Sequence, residues 1–383
     1  MKMKRATLLL LMVFTLFGCK GESVKKEAGN GHISSLSPLK EDFADKFMMG
    51  NVFDPVDVSS SGVTNTALIR HYNVLTAGNN MKPDHLSTGK GSYNFTIADR
   101  MVNAAIASGF KVVGHTLLWH SQIPAWQKNM ANANRETALE AMKQYITDVV
   151  KHFEGRIYSW DVINEAFPDS GYSTGSDWKN VMRQENPWYK AIGSDFVYES
   201  FLAARSADPG AILYYNDYNT DQAGRAAMIR NMVRDVNERY QAAYPDETRL
   251  LIEGIGMQEH HNTSVSASAI RSALNLFKPL GVKISVSELD VLIVNFQDFE
   301  TYGQGPYKQN SITGEKRIYG LMRQAELYGQ YFQVYLEFSD IIERVSCWGV
   351  NDDKSWRSAG APLLFDAAGM AKDAYYSVIG TIK

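Results

Sequence analysis

From Leu39 to the C-terminus, short apolar runs alternate with longer stretches that carry apolar residues at helical spacing. This alternation predicts parallel strands joined by crossover helices, because parallel strands need a long connection and the connecting helix must bury one face. Eight runs have the length and composition of buried strands: 47–50, 74–77, 112–115, 157–163, 212–215, 251–255, 282–286 and 344–348. Eight strand–helix units predict an α/β fold of the closed (β/α)₈ TIM-barrel type.

The helical stretches and the chain length both fit one such domain. Apolar residues recur at helix spacing in four connecting segments: 137–153, 225–240, 266–277 and 325–338. The chain has 383 residues, and a single barrel of roughly 250 to 400 residues accounts for this length. Nothing within 38–383 resembles a linker between domains, so we expect a single barrel domain over this range.

The composition narrows the classes of ligand. The net charge is −3 and aromatic residues make up 11% of the chain. A nearly neutral chain has no electrostatic footprint for nucleic acid, whereas flat aromatic rings suit a neutral ligand such as a sugar. The histidines lack HExxH spacing, no calcium loop is present, and no glycine-rich phosphate loop follows a strand. We therefore expect no metal, no cofactor and no nucleic-acid partner. We also expect the protein to be a monomer.

The N-terminus has the pattern of a targeting segment. A basic start precedes an apolar run at 8–17 that is too short to span a bilayer. The sequence LFGC at 16–19 resembles the cleavage box of bacterial lipoproteins, in which the cysteine is acylated, although Phe17 replaces the usual small residue. A plain signal peptide with an incidental cysteine is the alternative. The only other cysteine, Cys347, lies in an apolar strand pattern and is expected to be a buried thiol.

This reading divides the chain into 1–19 as a lipoprotein signal peptide, 20–37 as a flexible linker, and the barrel. The linker is polar and has almost no apolar spacing. We expect the protein to be exported and lipid-anchored to the bacterial cell envelope, at the outer membrane facing the periplasm or the surface.

Polar and aromatic residues fall repeatedly at the same end of the predicted strands. In a parallel barrel these ends converge on one face, which carries the active site. Two of the strands end in carboxylates, at Glu165 and at Glu288 with Asp290. Two carboxylates that meet across one sugar are what hydrolysis of a glycosidic bond requires. A surface ion pair is the ordinary alternative for a single glutamate, but both of these end buried runs.

Seven segments, in order, resemble glycoside hydrolase family 10, the endo-1,4-β-xylanases. They are LTAGNNMK at 75–82, GHTLLWHSQ at 114–122, WDVINE at 160–165, YNDYN at 215–219, GMQEH at 256–260, SELD at 287–290 and WGV at 348–350. The resemblance implies a retaining enzyme that hydrolyses internal bonds of xylan by double displacement. Glu165 would be the acid/base and Glu288 the nucleophile, with their carboxyl groups about 5–5.5 Å apart.

The resemblance also assigns supporting roles. His260 would bond the nucleophile, Asp290 would steady His260, and Asn164 would bond the sugar 2-hydroxyl; a purely structural histidine is the alternative. The remaining substrate-binding residues implied are Asn79, Lys82, His115, Trp119, Gln122, Tyr218, Gln258, Trp348 and Trp356. Of these, the tryptophans resemble aromatic walls before the cleaved bond, and a core tryptophan is the alternative for Trp119. Asn219 would line the leaving-group side with Tyr218, whereas His120 and Asp217 are expected to be structural.

One position departs from the family pattern. Gly78 stands where the family has a glutamate that binds the sugar two positions before the cleaved bond. Glycine offers no acceptor, so we predict weaker binding at that subsite or tolerance of a decorated sugar. The segment 295–317 is predicted to be a long loop that shapes the substrate groove.

Two alternatives remain open. Another retaining β-glycanase of the same barrel type, acting on cellulose or mannan, would share the two glutamates. A glycan-binding protein on an inactive barrel is the alternative from a different class, and the retention of both carboxylates counts against it.

Overall fold

The computed structural model describes residues 31–295, 297 and 312–383, and these form a barrel of eight parallel strands. We label the barrel strands in chain order: β1 Met48–Phe53, β2 Val74–Ala77, β3 Lys111–Leu118, β4 Ser159–Asn164, β5 Ile212–Asp217, β6 Gly254–Met257, β7 Lys283–Val291 and β8 Ile342–Cys347. Each strand pairs in parallel with the next, and β8 pairs with β1, so the sheet closes on itself. The predicted (β/α)₈ barrel is confirmed.

All eight predicted strands are present, with shifted ends. β1 runs to Phe53 rather than to residue 50, β7 runs to Val291, and β6 lies at Gly254–Met257 rather than at 251–255. The errors in β1 and β7 follow from polar residues within the strands. Asn51, Ser287 and Glu288 are buried strand residues that the apolar pattern did not count as strand.

The helices surround the barrel, and four small strands form two hairpins beside it. The helices are Leu39–Asp42, Thr66–His71, Pro83–Leu86, Thr96–Ala107, Ala125–Asn129, Arg135–His152, Pro187–Ile192, Asp195–Ala207, Ala223–Ala243, Ala267–Phe277, Gly314–Glu337 and Asp373–Ile379. The hairpins pair Val58–Ser59 with Gly62–Val63 and Ser87–Gly89 with Ser92–Tyr93, and a two-residue strand, His260–His261, extends the sheet beside β7. None of the helices in the described parts of the chain is long and apolar enough to cross a membrane.

The predicted loop at 295–317 is partly wrong. The helix predicted at 325–338 begins at Gly314. The prediction placed its start too late because the first turns are largely exposed and lack the apolar stripe of the later turns. Residue 296 and residues 298–311 lie outside the described part of the chain, so the predicted role of this segment in a groove stays a prediction.

Large side chains fill the barrel against glycines on neighbouring strands. A Cβ added at Gly114 of β3 would lie 2.2 Å from Trp160 of β4, and one added at Gly254 of β6 would lie 2.2 Å from Tyr214 of β5. Trp160 and Tyr214 are fully buried. The register of adjacent strands therefore places a glycine, which has no side chain, beside each of these aromatic rings.

The linker prediction needs correction at its C-terminal end. The backbone N–H of Ile33 donates to the carbonyl of Gly369 at 2.8 Å, and that of Ala371 donates to the carbonyl of Gly31 at 2.9 Å. Ile33 is buried, and its carbonyl lies 2.6 Å from Nε2 of His71. Residues 31–37 are thus packed on the domain, because Ile33 and Leu36 both contact the hydrophobic core and backbone hydrogen bonds join the segment to 369–371. Residues 1–30, with Cys19, lie outside the described part.

Candidate active site

A cleft of about 810 Å³ opens at the carboxyl ends of the barrel strands. Thirteen of the fourteen residues predicted to act on or bind substrate, or to support those that do, line it: Asn79, Lys82, His115, Trp119, Gln122, Asn164, Glu165, Tyr218, Gln258, His260, Glu288, Trp348 and Trp356. The fourteenth, Asp290, is fully buried and lies behind His260. The cleft therefore collects residues from seven of the eight predicted strand ends or the loops that follow them.

Three donors converge on the carboxylate of Glu165. Trp119 Nε1 donates to Oε2 at 2.8 Å, while Gln258 Nε2 and Asn164 Nδ2 donate to Oε1 at 2.9 Å and 3.0 Å. The backbone of Glu165 donates to the carbonyl of Asn216 on the neighbouring strand at 2.9 Å. These contacts fix the carboxyl group at the mouth of β4, although it follows the last residue of the strand.

The second carboxylate, Glu288, is connected to the first by a bridge of two amides. Asn216 Nδ2 donates to Glu288 Oε1 at 2.8 Å and to Asn164 Oδ1 at 2.9 Å. Asn164, in turn, donates to Glu165. The bridge exists because Asn164 and Asn216 are register partners on β4 and β5. Glu165 and Glu288 therefore face one another across a single part of the cleft.

His260 and Asp290 support Glu288 as the resemblance implies. His260 Nε2 lies 3.1 Å from Glu288 Oε2, and Nδ1 lies 2.8 Å from Asp290 Oδ2. Burial lowers the pKa of His260, but the charges of Asp290 and Glu288 outweigh it and raise the pKa to about 9. The histidine is consequently an imidazolium at neutral pH and donates from both ring nitrogens.

Glu288 is held ionised by this arrangement. Burial raises the pKa of Glu288, but the hydrogen bond from His260 and the nearby imidazole of His115 outweigh it and bring the pKa below its ordinary value. Asp290 has the same balance, since His260 and Arg357 lower its pKa against the effect of burial. A carboxylate that stays deprotonated and points into a cleft has the protonation state that a nucleophile needs.

One side of the cleft combines a lysine with aromatic rings. Lys82 Nζ donates to Asn79 Oδ1 at 2.8 Å and to Gln122 Oε1 at 2.7 Å, and lies 4.9 Å from the centre of the Trp119 ring. Trp119 is half-buried in the cleft wall rather than in the core. Burial lowers the pKa of Lys82, although Glu288 and Glu165 raise it.

Trp348 and Trp356 form another wall near the nucleophile. The Trp356 ring lies 5.2 Å from that of His260, and the Trp348 ring lies 5.7 Å from that of His115. Trp356 is 48% exposed. An exposed indole above polar hydroxyl-binding groups is suited to stack on the apolar face of a sugar ring.

The opposite side carries Tyr218, which is tied to two arginines. Arg183 donates to the Tyr218 hydroxyl at 2.8 Å and to the carbonyl of Phe167 at 2.9 Å, and Arg225 lies 4.4 Å from the centre of the Tyr218 ring. Asp217 forms a buried 2.8 Å ion pair with Arg225. Burial raises the pKa of Asp217 to about 6, although Arg225 opposes it.

His120 lies beside Glu165. Its Nδ1 is 4.0 Å from Glu165 Oε2. Burial and the charge of Arg183 lower the pKa of His120 despite the carboxylate of Glu165. It packs against the ring of Trp119 at 5.6 Å. The contacts place it beside the wall that positions Glu165.

Left-handed backbone conformations cluster around this cleft. Gln122, Glu165, Asn219 and Glu259 have φ between 46° and 59°, and all four lie in or directly beside the cleft lining. Such a conformation costs a residue other than glycine about 1 kcal/mol or more and persists only where the surrounding contacts impose it. At Glu165, the contacts described above supply that constraint.

Several residues of the site were not predicted from the sequence. Asn216 was predicted only as part of the segment YNDYN, without a role. Asp161, which pairs with His115 at 2.9 Å, and Arg357, which pairs with Asp290 at 2.7 Å, were not predicted as site residues. Asp54 lines the cleft and was also missed. The true end of β1 at Phe53 would have revealed Asp54 by the same rule that found the other strand ends.

In the described parts of the chain, no group of three or more His, Cys, Asp or Glu side chains is placed to hold a metal ion. The cleft combines two facing carboxylates, amide and imidazolium donors, and indole walls. This fold and this site define a barrel-type glycoside hydrolase.

Comparisons with known proteins identify the family. The model of Glycosyl hydrolase family 10 matches residues 38–381, and the chain belongs to this family. It is 35% identical over 357 residues to an endo-1,4-beta-xylanase of Geobacillus stearothermophilus, covering 90% of this chain and 99% of that one. It is 34% identical over 355 residues to endo-1,4-beta-xylanase A of Thermotoga maritima, and there it spans only 31% of the relative's length.

Solved structures agree with this assignment. A GH10 xylanase from termite gut that contains a bacterial Ig-like domain superposes with a TM-score of 0.88 at 56% sequence identity, covering 92% of this chain and 79% of that one. Xylanase XynB of Paenibacillus barcinonensis, in complex with a conduramine derivative, gives a TM-score of 0.77 at 31% identity, with 91% and 99% covered.

Proposed function

We propose that the protein is a retaining endo-1,4-β-xylanase, with Glu165 as the acid/base and Glu288 as the nucleophile. The observation that carries this proposal is the convergence of the two carboxylates on one cleft, joined through Asn164 and Asn216. The family relationship and the xylanases among its relatives support xylan as the substrate.

In the first step, Glu288 attacks the anomeric carbon while Glu165 gives its proton to the departing glycosidic oxygen. One C–O bond forms to the enzyme and the glycosidic C–O bond breaks. The imidazolium of His260 and the amide of Asn216 hold the attacking carboxylate in place. Gln258 and Trp119 hold the carboxyl group of Glu165 toward the leaving oxygen.

In the second step, Glu165, now a carboxylate, takes a proton from a water molecule. The water oxygen attacks the anomeric carbon and displaces Glu288, which restores both groups. Two inversions give net retention. Asn164 lies between the two carboxylates and is placed to donate to the sugar 2-hydroxyl, a contact that strengthens as charge develops on the ring.

The acid/base role is tested with Glu165→Gln. A positioned acid/base contributes about 10²- to 10⁴-fold, so kcat on xylan should fall by that factor. The loss should be much smaller on an aryl xyloside whose leaving group departs without a proton. Glu136→Gln, an exposed residue outside the cleft, is the matched control. An equal loss on both substrates would remove Glu165 from the acid role.

The nucleophile role is tested with Glu288→Gln and with product stereochemistry. The variant should lose activity on both substrates, because no covalent intermediate can form. NMR of the wild-type reaction should detect the β-anomer first. Detection of the α-anomer first would contradict the two-step mechanism. If Glu288→Gln binds xylan and the wild type does not hydrolyse it, the protein is a glycan-binding protein instead.

The choice of polysaccharide is tested on a panel of xylan, carboxymethyl cellulose and mannan. Xylan should be hydrolysed with a kcat/KM at least tenfold above the other two. Faster hydrolysis of cellulose or mannan would make the protein another retaining β-glycanase of this family's fold.

We also propose that the protein is exported and anchored through an acylated Cys19, with the residues up to 30 as the tether and a monomeric catalytic domain. The support is the basic start, the short apolar run and the LFGC sequence. Labelling with a clickable palmitate analogue should mark the wild type and not Cys19→Ala, with Cys347→Ala as the control. Labelling that persists in Cys19→Ala would refute the anchor.

A further inference from the structure

The region around Gly78 contains a carboxylate that the sequence pattern did not identify. Gly78 directly follows β2, and Asp54 directly follows β1. Phe53 and Ala77 are register partners, and the backbone N–H of Gly78 donates to the carbonyl of Phe53 at 3.2 Å. Asp54 and Gly78 are therefore neighbours at the mouth of the barrel, and both line the cleft.

The side chain of Asp54 lies where a side chain at 78 would begin. A Cβ added at Gly78 would be 2.9 Å from Asp54 Oδ1 and 3.2 Å from Val52 Cγ2. Real Cβ atoms essentially never approach an oxygen that closely without displacing it. The absence of a side chain at 78 is thus what allows the Asp54 carboxylate its present position.

Asp54 is held in place by a capping box, in which its side chain accepts from the backbone N–H of Asp57; a carboxylate has two oxygens, so it retains acceptor capacity toward the cleft. The backbone N–H of Asp54 donates to Asp57 Oδ2 at 2.8 Å, and Asn65 Nδ2 donates to Asp57 Oδ1 at 2.8 Å. The residue is solvent-exposed at the cleft surface. Partial burial and the charge of Asp57 raise the pKa of Asp54, although Lys82 lowers it. Sugar hydroxyls that donate to this carboxylate would stabilise its charged form.

We infer that Asp54 is the specificity-determining acceptor for the hydroxyls of the sugar two positions before the cleaved bond. This inference rests on the proposed xylanase function, which places Asn79 and Lys82 on that side of the cleft. Gly78 itself offers no acceptor, as expected, but the subsite does not lack one. A carboxylate here selects a neutral sugar, and it repels a substituent that carries its own carboxylate.

The test compares two aryl glycosides that differ by one sugar. An aryl β-xyloside has only the sugar that is attacked, whereas an aryl β-xylobioside also has the next one. Asp54→Ala should lower kcat/KM for the xylobioside about 10- to 100-fold, the range expected for a hydrogen bond to a charged group. The same variant should leave kcat/KM for the xyloside within about twofold of the wild type.

Gly78→Ala gives a second, independent variant, because its methyl group would displace the Asp54 carboxylate. It should show the same selective loss on the xylobioside. Asp45→Ala removes an exposed carboxylate paired with Lys46 at 3.0 Å outside the cleft, and should change neither substrate. Asp54→Asn keeps an acceptor without the charge. It should raise the ratio of kcat/KM for a glucuronate-substituted oligosaccharide over the neutral one at least threefold.

The outcomes separate the inference from the proposed function. Equal losses on xyloside and xylobioside in Asp54→Ala would make the residue structural and overturn the inference. Unchanged kinetics on both substrates would overturn it as well. A wild type without activity on xylobioside or xylan would instead defeat the proposed function.

Discussion

At the scale of single residues, the site is defined by how charge is balanced around two glutamates. Glu165 receives three neutral donors, whereas Glu288 receives one amide and an imidazolium. Of the side chains that donate directly to these two carboxylates, only the one at Glu288, His260, carries a positive charge. This asymmetry is a physical reason for assigning the two carboxyl groups different roles.

The raised pKa of His260 predicts a pH-dependent contribution to stability. Its pKa is about 9 in the folded protein, against roughly 6.5 in the unfolded chain. Because the folded value is the higher one, the stabilisation is fully present below pH ~6.5 and is lost as pH rises through about 9. The difference in unfolding free energy between wild type and His260→Asn should be on the order of 3 kcal/mol at pH 6 and shrink toward pH 10.

Denaturant unfolding across this pH range measures the difference directly. His85→Asn is the control, because this half-exposed histidine pairs only with its neighbour Asp84, at 2.7 Å among the described contacts. A gap between wild type and His260→Asn that stays constant from pH 6 to pH 10 would show that the imidazolium is not stabilised in the folded state.

At the scale of elements, glycines on some barrel strands lie beside larger side chains on the neighbouring strands. Gly114 lies beside Trp160, and Gly256 lies beside Asn216, where an added Cβ would be 2.2 Å from Oδ1. The second of these contacts has a functional consequence, because Asn216 bridges Asn164 and Glu288. Strand packing and the geometry of the site are therefore set by the same register.

Gly114→Ala should destabilise the barrel without touching the reacting groups. The added methyl group would lie 2.2 to 2.7 Å from three ring carbons of Trp160, which is fully buried and has little room to move. Overpacking of this kind costs about 1–3 kcal/mol. Thermal unfolding should give a lower Tm than the wild type.

Gly175→Ala is the matched control for that substitution. A Cβ at Gly175 meets no atom within 4 Å, so its Tm should stay close to that of the wild type. If the two alanine variants unfold at the same temperature, the barrel interior accommodates the methyl group and the packing argument is incorrect.

At the scale of the whole molecule, the segment that precedes the barrel packs against residues that follow its last strand. The segment 31–37 pairs with residues near the C-terminus, and Tyr375 donates from its hydroxyl to the carbonyl of Ser37 at 3.0 Å. Arg70 Nε donates to the carbonyl of Leu36 at 2.6 Å. The segment thus joins the C-terminal part of the chain to the helix that follows β1.

A chain that begins at residue 38 should be less stable than one that begins at residue 31. The shorter chain loses the burial of Ile33 and the contact of its carbonyl with the buried His71. We expect a loss of about 2–4 kcal/mol in unfolding free energy. Denaturant unfolding of the two truncated chains measures it. Equal midpoints would mean that 31–37 is only a tether.

The sequence by itself determined the barrel, its eight strands and the position of both carboxylates. It could do so because buried parallel strands leave a strong apolar pattern, and closure of the barrel brings all their carboxyl ends to one face. The residues at those ends, Glu165 and Glu288 among them, then needed no knowledge of side-chain contacts to be placed together.

Only the tertiary structure decided which partners these groups have. Asn216 reaches Asn164 and Glu288 through strand register, Arg357 reaches Asp290 from a loop 67 positions away, and Asp54 occupies the space above Gly78. Contacts of this kind require the strand register and the position of each strand end to be correct to within one residue. An apolar pattern does not define a strand end that closely, because buried polar residues such as Asn51, Asn164, Asn216 and Glu288 interrupt it inside the strands.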